Sequence, residues 1–459
     1  MTQLFGALVT LKTGKPAKIV FDREESIADT YKRHGMEIRV KIGFKKDGTI
    51  TAFDGGALID TGAYVGYGYS VLGLMTEHLP GPYKIDNIRL HSELCYTNKS
   101  PASAFRGFGA PQGNFATESL ISEAAEKLGL DPVAIRMKNA LRTGDTGSLG
   151  QVIDRSCGLR EALEILENSA LWQRKATDTE PNVGYGMAAG HLSCGFGKAI
   201  PDNAEVTITK NADGVYEACV GFTELGQGGI GSLTAIAADA LGVPCAQVKV
   251  IMGDTARTPD CGATAASRTT FIAGNAILKA AEEYLTRAQA GETGITVRGK
   301  AAFPESETMH SIGAPHAMYT FVAQAVRVRV DPLTGAVQVT DALAVTEAGT
   351  IVNPMQLAGQ VQGGFVQSMG YTLTEVCGYA PDGRMLNDSF TTYLLPTAAD
   401  APHIETATAD VYESTGPAGV KGAAESPTVP TAAAINAAIR DATGKWHYAL
   451  PITPQNVLQ

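Results

Sequence analysis

The chain has 459 residues and a formal net charge of -10 at pH 7, with 44% hydrophobic and 18% charged residues. This length exceeds one ordinary hydrophobic core, and the composition is that of a globular protein. We therefore expect two or three lobes rather than a disordered chain. The acidic balance argues against nucleic acid or an anionic membrane as the main partner.

The cysteines, the lengths of the apolar runs and the histidines exclude several kinds of protein and site. The seven cysteines are scattered, and no two have CxxC spacing. This predicts reduced thiols in a cytoplasmic protein, without a disulfide framework or an iron–sulfur or zinc site in this chain. No apolar run reaches the roughly 18 residues that span a bilayer, and no signal peptide opens the sequence. The histidines match neither an HExxH site nor a hydrolase triad.

The first residues predict a helix followed by strands. Residues 4–11 are apolar and helix-like, and residues 17–21 have strand character. A domain rarely opens with an uncapped apolar helix, so this beginning resembles the middle of a fold whose first part lies elsewhere. Residues 37–44 and 50–60 predict a hairpin, because both alternate about a Gly-containing turn. A Gly- and Tyr-rich loop follows over residues 62–73.

Two helices are predicted next. An amphipathic helix follows residues 103–112 and ends near Leu128, and Asp131 precedes Pro132 in the arrangement that begins a second helix. Residues 172–183 are charged and mixed in character, so we place a lobe boundary near residue 180. The expected architecture is an α+β fold with a first lobe over residues 1–180 and a second lobe over residues 181–459.

The second lobe alternates strands and helices. The predicted strands are 204–209, 215–220, 248–252 and a pair within 319–346. Helices follow the segments 222–229 and 262–270, and a third helix over residues 356–370 begins after Asn353 and Pro354.

The tail places one carboxylate after a run of very small residues. Glu425 follows Gly422, Ala423 and Ala424, so nothing bulky shields it from a group on the opposite side. A helical pattern from about Pro430 onward braces this loop, which is where a general base is often found. The alternative is a surface glutamate that is merely solvated.

A glycine motif in the second lobe has two interpretations. Gly226, Gly228 and Gly231 match GxGxxG between a strand and a helix, and Asp254 follows at the spacing of a dinucleotide-binding fingerprint. That fingerprint normally belongs to a first βαβ unit, whereas this motif is mid-chain and contains Gln227. We favour a glycine turn that offers backbone N–H groups and the Gln227 amide to a planar cofactor.

Three other segments each allow a binding or a packing role. Phe105, Arg106, Gly107 and Phe108 precede a helix, and they form either an aromatic wall near helix N–H groups or a packed helix entry. The segment 267–270 (SRTT) is either a cofactor contact or an ordinary N-cap. Gln360 and Gln367 share a helix face, which either contacts a polar ligand or is simply hydrated.

Together these motifs resemble the molybdenum-binding subunit of the xanthine dehydrogenase family of molybdenum hydroxylases. The matching pieces follow the family's order and cover nearly the whole chain. They are TGKP at 13–16, DREE at 22–25, RHG at 33–35, AFRGFGAPQ at 104–112, TELGQGG at 223–229, TAASR at 264–268, GQVQGGFVQSMG at 359–370 and KGAAE at 421–425.

The resemblance implies roles for the matching positions. Glu425 corresponds to the catalytic base beside molybdenum, Phe108 to an aromatic residue that stacks on the substrate, and Phe105 and Arg106 to the loop near the metal. The implied cofactor-binding positions are Gly107, Phe108, Gly226, Gln227, Gly228, Ala265, Ala266, Ser267, Arg268, Thr269, Gln360 and Gln362. No protein side chain is expected to ligate the metal directly, since the pterin holds it.

The chain also departs from the family. The glycine-rich loop and the N-terminal domain that precede the matching region are absent. Leu74 aligns with the arginine that orients purines in xanthine-specific enzymes, which weakens a strict xanthine assignment. The family's GlyValGlyGlu-like motif is GlyAlaAlaGlu here.

The resemblance implies an oxidoreductase that carries a molybdenum pyranopterin, as molybdopterin or its cytosine dinucleotide. It hydroxylates an N-heteroaromatic substrate of the purine or nicotinate type with oxygen from water. Partner subunits are implied to carry 2Fe-2S clusters and FAD. We expect the N-terminal part of the large subunit to be supplied by a separate chain, the alternative being a truncated reading frame. The alternatives are an aldehyde oxidase or hydroxybenzoyl-CoA reductase type of enzyme, and a non-catalytic remnant that binds partners.

Overall fold

The computed structural model describes residues 2–305 and 313–459. In this part of the chain the strands form three four-stranded sheets with helices packed against them, which confirms the α+β class.

The first sheet is built on the predicted hairpin. In chain order its elements and their neighbours are α1 (Thr2–Thr13), α2 (Arg23–Asp29), β1 (Gly35–Phe44), β2 (Ile50–Asp60), α3 (Gly68–His78), β3 (Ile88–Leu90), β4 (Glu93–Cys95), α4 (Ala110–Leu128) and α5 (Pro132–Asn139). Strands β1 and β2 are antiparallel, with Gly35 opposite Asp60, and β3 and β4 pair with β2 in parallel. The predicted cap of α5 is confirmed, since the Asp131 carboxylate accepts the backbone N–H groups of Val133 and Ala134.

The second sheet has the strand order β8-β7-β6-β9. The elements that lead to it and form it are α6 (Leu159–Glu167), α7 (Ala170–Arg174), β5 (Val183–Cys194), β6 (Asn203–Lys210), β7 (Tyr216–Val220), α8 (Gly229–Leu241), β8 (Val248–Met252), α9 (Thr269–Gln289) and β9 (Thr296–Ala302). Helices α8 and α9 pack against each other, and α9 covers β6 and β9. Buried Phe222, Leu233, Phe271 and Ile277 belong to the core between these layers.

The third sheet has the order β12-β11-β10-β5 and is covered by α11. The remaining elements are β10 (Met318–Val330), β11 (Val337–Glu347), α10 (Pro354–Leu373), β12 (His403–Thr408), α11 (Thr431–Thr443) and α12 (Pro454–Leu458). A Cβ at Gly184 would lie 2.1 Å from Ala438 O, and one at Gly186 would lie 2.2 Å from Ala434 O. These glycines therefore let the Ala-rich α11 lie directly on β5. The chain segment that precedes α11 is held in place together with this helix.

The start of the chain differs from the prediction in one respect. Residues 4–11 are helical as predicted, within α1, but residues 17–21 form no strand. A strand needs a hydrogen-bonded neighbour, and the described residues provide none for this segment. Helix α1 buries none of its side chains, and Leu4 and Leu11 are 72% and 83% exposed.

The proposed lobe boundary near residue 180 does not separate the hydrophobic cores. One cluster joins Val133, Leu159 and Leu163 to Tyr185 and Phe321. Residues before and after the boundary thus share one core, and the division into two lobes stays a prediction.

Candidate active site

Four segments that are distant in sequence converge on one cleft. They are the loop at the start of α8, the loop before α9, the stretch from the end of β11 into α10, and residues 420–425, which we call the Glu425 loop. The cleft has a volume of about 980 Å³, including its open mouth. The predicted site residues that line it are Gln227, Ala265, Ser267, Thr269, Gln360 and Glu425.

Glu425 is half-buried at the end of the Glu425 loop. Burial raises the pKa of its carboxyl group, and the nearby cations of Arg106 and Arg33 oppose this effect. Its backbone oxygen accepts hydrogen bonds from Thr428 N at 3.0 Å and Thr428 Oγ1 at 2.8 Å. Within residues 2–305 and 313–459, no hydrogen bond or ion pair engages the carboxylate itself. The backbone at Glu425 is therefore fixed, and its carboxylate is left without a partner that would prevent it from accepting a proton.

The Glu425 loop touches the loop before α9 at a glycine. A Cβ on Gly422 would lie 1.5 Å from Ser267 O, so only glycine fits this approach. Ala266 and Ser267 have left-handed φ angles of 54° and 50°. The hydroxyl of Ser267 is buried without a hydrogen-bond partner in the protein, while Ser267 O accepts Cys194 Sγ–H at 3.2 Å. Ser267 thus contributes a hydroxyl group without a hydrogen-bond partner beside the cleft. Ala266 shapes the turn but does not line the cleft.

Arg268 was predicted to contact the cofactor, but the structure places its side chain inside the fold. Its guanidinium is 1% exposed and forms an ion pair with Asp202 at 2.6 Å. It also donates to the backbone oxygens of Cys261, Ala263 and Asn203, and it lies over the rings of Phe196 and Phe222. All of these contacts of the guanidinium are with residues inside the fold. Arg268 therefore braces the loop before α9 from behind.

The backbone N–H groups of the glycine turn in the GxGxxG motif also form hydrogen bonds within the protein. The Glu224 carboxylate accepts the N–H groups of Gly226 and Gly228 at 2.9 Å each and that of Ile230 at 3.0 Å. An anionic phosphate cannot use N–H groups that a carboxylate already occupies, which argues against the dinucleotide interpretation. The N–H groups of Gly226 and Gly228 are thus already engaged by Glu224, and a cofactor contact by these two glycines stays a prediction.

Gln227 lines the cleft, but its side-chain amide already forms two hydrogen bonds with the backbone of its own loop. Its Nε2 donates to Thr223 O at 3.1 Å, and its Oε1 accepts Leu225 N at 2.6 Å. The second Nε2 hydrogen remains the group that Gln227 could offer to a ligand.

The glutamines of α10 separate into two sets. Gln360 lines the cleft, and its Oε1 accepts Arg106 Nη2 at 3.0 Å. Gln362 is exposed and donates to Ile404 O at 3.4 Å on the side of β12. Residues two apart project to different sides of a helix. Gln362 therefore lies away from the cleft that Gln360 lines, and its predicted cofactor contact stays a prediction. Gln356, one turn before Gln360, lines the cleft and was not predicted; its i, i+4 spacing from Gln360 was the signal.

Residues 105–109, which we call the FRGFG turn, contact the Glu425 loop outside the cleft. Arg106 Nε donates to Ala424 O at 2.8 Å, and a Cβ on Gly107 would lie 2.8 Å from Thr428 Oγ1. Phe108 has a left-handed φ of 50°, and the ring of Phe105 lies 4.3 Å from the guanidinium of Arg33. The turn therefore packs against the backbone that carries Glu425, and none of its residues lines the cleft.

Leu74 lies in α3, behind this turn. It packs in a small apolar cluster with Ala110, Leu192 and Val429. It does not line the cleft, so its predicted contact with substrate stays a prediction.

A buried ion pair below the Glu425 loop was not predicted. Lys421 Nζ lies 2.9 Å from Glu347 Oε2, and both side chains are 0% exposed. The ammonium also donates to Ser156 O at 2.9 Å and Tyr319 O at 2.8 Å. Lys421 therefore ties the loop to β10 and β11. A lysine among small residues gives no sequence signal for burial, because lysine is usually exposed.

These features fit the pyranopterin that the resemblance implies. The cleft offers amide and hydroxyl groups from Gln227, Ser267, Thr269 and Gln360, and the orphaned Ser267 hydroxyl needs a partner from outside the protein. Within the described ranges, no group of three His, Cys, Asp or Glu residues is arranged to hold a metal ion. No helix among these residues is long and apolar enough to cross a membrane.

Comparison with known proteins identifies the family. A family model described as the molybdopterin cofactor-binding domain matches residues 1–140, and a second model with the same description matches residues 162–293 and 284–402. One relative, from Bacillus subtilis strain 168, is described as a probable xanthine dehydrogenase component. It is 31% identical over 100% of this chain, which spans 66% of that relative.

Solved structures agree with this result. The aldehyde oxidoreductase of Desulfovibrio desulfuricans superposes with a TM-score of 0.91 and 27% identity, covering 98% of this chain and 51% of that one. Quinoline 2-oxidoreductase of Pseudomonas putida 86 gives a TM-score of 0.88 and 26% identity, covering 99% and 65%. The chain thus spans about half to two thirds of these relatives. It belongs to the molybdopterin-binding xanthine dehydrogenase and aldehyde oxidoreductase family.

Proposed function

We propose that this chain is the molybdopterin-binding part of a hydroxylase that oxidises an N-heteroaromatic substrate of the purine or nicotinate type. One observation carries the proposal. Glu425 is half-buried, its carboxylate has no hydrogen-bond or ion-pair partner among the described residues, and it lies at the end of a cleft lined by amide and hydroxyl groups.

The reaction breaks a C–H bond of the substrate and forms a C–O bond with oxygen from water, releasing two electrons and two protons. When bound, the molybdenum pterin supplies the activated oxygen and accepts the electron pair. Glu425 accepts the proton that leaves the oxygen nucleophile. Its raised pKa matches this role, because a base works best when its pKa lies near the operating pH. The electrons leave through iron–sulfur and flavin carriers.

The residues that would hold the pterin are those that line the cleft: Gln227, Ala265, Ser267, Thr269 and Gln360, together with Gln356. Whether the group is molybdopterin or its cytosine dinucleotide is a question for cofactor extraction, since the described cleft residues favour neither form.

The resemblance assigns substrate stacking to Phe108, and this supports a flat substrate. Phe105 and Phe108 lie on the turn that contacts the Glu425 loop, and Leu74 gives α3 an apolar side chain where xanthine-specific enzymes have a cation. Relatives act on both classes of substrate by name, quinoline and aldehydes. An aldehyde oxidase type is therefore the second candidate, ahead of a hydroxybenzoyl-CoA reductase type and a non-catalytic remnant.

Partners are part of this proposal. Subunits that carry 2Fe-2S clusters and FAD would receive the electrons, and a further chain would supply the N-terminal part of the large subunit and cover α1. Exposed Leu4, Phe5, Leu8 and Leu11 give that partner an apolar surface. The seven cysteines are all free thiols, which favours a cytoplasmic location.

The test is the molybdenum content by mass spectrometry, measured on this chain alone and co-purified with its partner chains. We expect near-stoichiometric metal in the assembled form. Glu425→Gln should keep that metal and lose turnover by roughly 10²–10⁴-fold, as expected for removal of a general base. Glu405→Gln, at an exposed position of β12, is the matched control. Absence of molybdenum from both preparations would refute the proposal, and full turnover by Glu425→Gln would remove this residue from the chemistry.

A further inference from the structure

The Glu425 loop begins as an extended segment that runs beside the residues following β11. Lys421 N donates to Ala348 O at 2.9 Å, and Thr350 N donates to Gly419 O at 2.8 Å. Both Ala348 and Thr350 line the cleft. The backbone that forms this wall of the cleft is therefore hydrogen-bonded directly to the backbone that leads to the carboxylate of the loop.

A fully buried ion pair lies at one end of this contact. Glu347 directly precedes Ala348, and its Oε2 accepts Lys421 Nζ at 2.9 Å. The two remaining hydrogens of the ammonium go to Ser156 O at 2.9 Å and Tyr319 O at 2.8 Å. The other carboxylate oxygen of Glu347 accepts Gly349 N at 3.1 Å. Every polar group of the pair is thus satisfied, and a buried network of this kind is rigid.

A second buried carboxylate holds one of the partners of this pair. Glu413 is 0% exposed, and its Oε2 accepts Ser156 N at 3.0 Å and Ser156 Oγ at 2.8 Å. Its Oε1 accepts Thr415 N at 2.9 Å. Ser156 is the residue whose carbonyl oxygen accepts Lys421 Nζ. The lysine therefore cannot shift without breaking hydrogen bonds to several separate segments of the chain.

The far end of the Glu425 loop is fixed as well. Ala424 O accepts Arg106 Nε at 2.8 Å, and Glu425 O accepts Thr428 N at 3.0 Å. Only three small residues separate Lys421 from Glu425. A segment this short has little freedom, so the position of Lys421 limits the positions that Glu425 can take.

We infer that the buried Lys421–Glu347 pair is a positioning pair, which holds the Glu425 carboxylate at a fixed distance from the wall of the cleft. This inference rests on the proposed function, since the position of Glu425 affects the rate only if Glu425 is the base. The two side chains lie behind the cleft and act through the backbone of residues 347–350 and 420–425. They hold the base in place for proton transfer, a step whose rate falls steeply when the base is displaced.

The test is the double variant Lys421→Met/Glu347→Leu in the fully assembled enzyme. Replacement of a buried ion pair by apolar side chains is often neutral for stability, so this variant separates positioning from folding. The quantities measured are KM and kcat per bound molybdenum, for quinoline and for acetaldehyde. We expect kcat to fall about 100-fold with both substrates while KM stays near the wild-type value, because a small displacement of a catalytic group has about this effect.

The matched control is another ion pair whose two side chains are 0% exposed, Arg136 with Glu118, which joins α5 to α4. Arg136→Met/Glu118→Leu makes the same kind of change away from the Glu425 loop. Its kcat per bound molybdenum should match the wild type, since a loss of folded protein does not affect a rate expressed in this way.

Hydrogen–deuterium exchange of the assembled proteins provides a measurement that does not depend on activity. The backbone amide at position 421 donates to Ala348 O, and it should exchange about tenfold faster in Lys421→Met/Glu347→Leu. In the Arg136→Met/Glu118→Leu control it should exchange at the wild-type rate.

A milder variant, Glu347→Gln, keeps the test decisive if the double variant does not assemble. A glutamine amide has one acceptor oxygen, so it cannot accept hydrogen bonds from both Lys421 and Gly349 as the carboxylate does. Glu347→Gln should therefore change kcat and exchange in the same directions by a smaller amount.

Several results would overturn the positioning role. They are a wild-type kcat per bound molybdenum in the pair variants, a fall in kcat without faster exchange at position 421, and an equal fall in the Arg136→Met/Glu118→Leu control. An assembly that oxidises neither substrate would contradict the proposed function instead. Faster exchange at position 421 in the pair variants would still show, in that case, that the pair holds the Glu425 loop.

Discussion

At the scale of single residues, Glu425 owes its character to the small residues before it and to two cations near it. Gly422 allows the loop to approach Ser267 O, and burial raises the pKa of the Glu425 carboxyl. Arg106 and Arg33 act in the opposite direction, since a nearby positive charge favours the ionised carboxylate. The balance between burial and these cations sets the pH range in which Glu425 can accept a proton.

This balance predicts the pH profile of the assembled enzyme. A base must be ionised, so kcat/KM should fall as the pH drops through the pKa of Glu425. The midpoint of this acidic limb of the pH profile should lie above the ordinary glutamate pKa of about 4.3. Arg106→Gln removes a cation that lowers this pKa, and the limb should move to higher pH. Arg106→Lys keeps the charge and should leave the limb near its original position.

Exposed Arg39 provides the control for Arg106, because Arg39→Gln removes a cation from β1. A limb that moves to lower pH in Arg106→Gln, or that moves equally in Arg39→Gln, would contradict the assignment of Glu425 as the titrating base.

At the scale of elements, the site depends on loops that pack against each other rather than on one motif. Helix α11 lies directly on β5, Lys421 ties the Glu425 loop to β10 and β11, and Arg268 braces the loop before α9. The two loops meet at Gly422. Each element is anchored separately by contacts within the protein.

Gly422→Ala should disrupt this meeting point. A methyl group 1.5 Å from Ser267 O forces the loops apart, and we expect a loss of about 3 kcal/mol in the free energy of unfolding. Cofactor retention should fall with it. Urea denaturation and molybdenum content of the assembled protein measure the two effects.

The control is Gly359→Ala, in α10, where an added methyl meets nothing within 4 Å. Alanine favours a helix interior over glycine by about 0.5–1 kcal/mol, so this variant should be slightly more stable. Equal behaviour of the two variants would show that the Gly422 contact does not determine the shape of the site.

At the scale of the whole molecule, the exposed apolar surface of α1 contrasts with the well-packed cores elsewhere. The helix buries no side chain, and Phe5 and Leu8 are 48% and 50% exposed. Such a surface is expected where another chain or segment binds.

Hydrogen–deuterium exchange should detect that partner. In the chain alone, amides of α1 should exchange quickly, because few tertiary contacts hold the helix. In the co-purified complex they should be protected, while the exposed last turn of α9 should exchange equally in both preparations. Unchanged exchange in α1 would show that the partner binds elsewhere.

The sequence by itself determined the local elements and the order of the site motifs. Alternation and turn residues predicted β1 and β2, Asp131 predicted the start of α5, and the family motifs singled out Glu425, Gln227 and Gln360. These signals are local, because periodicity, capping and motif spacing depend on neighbouring residues along the chain.

Only the tertiary structure decided where the polar groups of these motifs point. Arg268 turns inward to Asp202, Glu224 occupies the N–H groups of the glycine turn, and Lys421 pairs with Glu347 more than seventy residues away. The strand predicted at 17–21 does not form, because a strand exists only beside another strand. Partners of this kind come from distant parts of the chain, and their charges, hydrogen bonds and packing are set when those parts fold together.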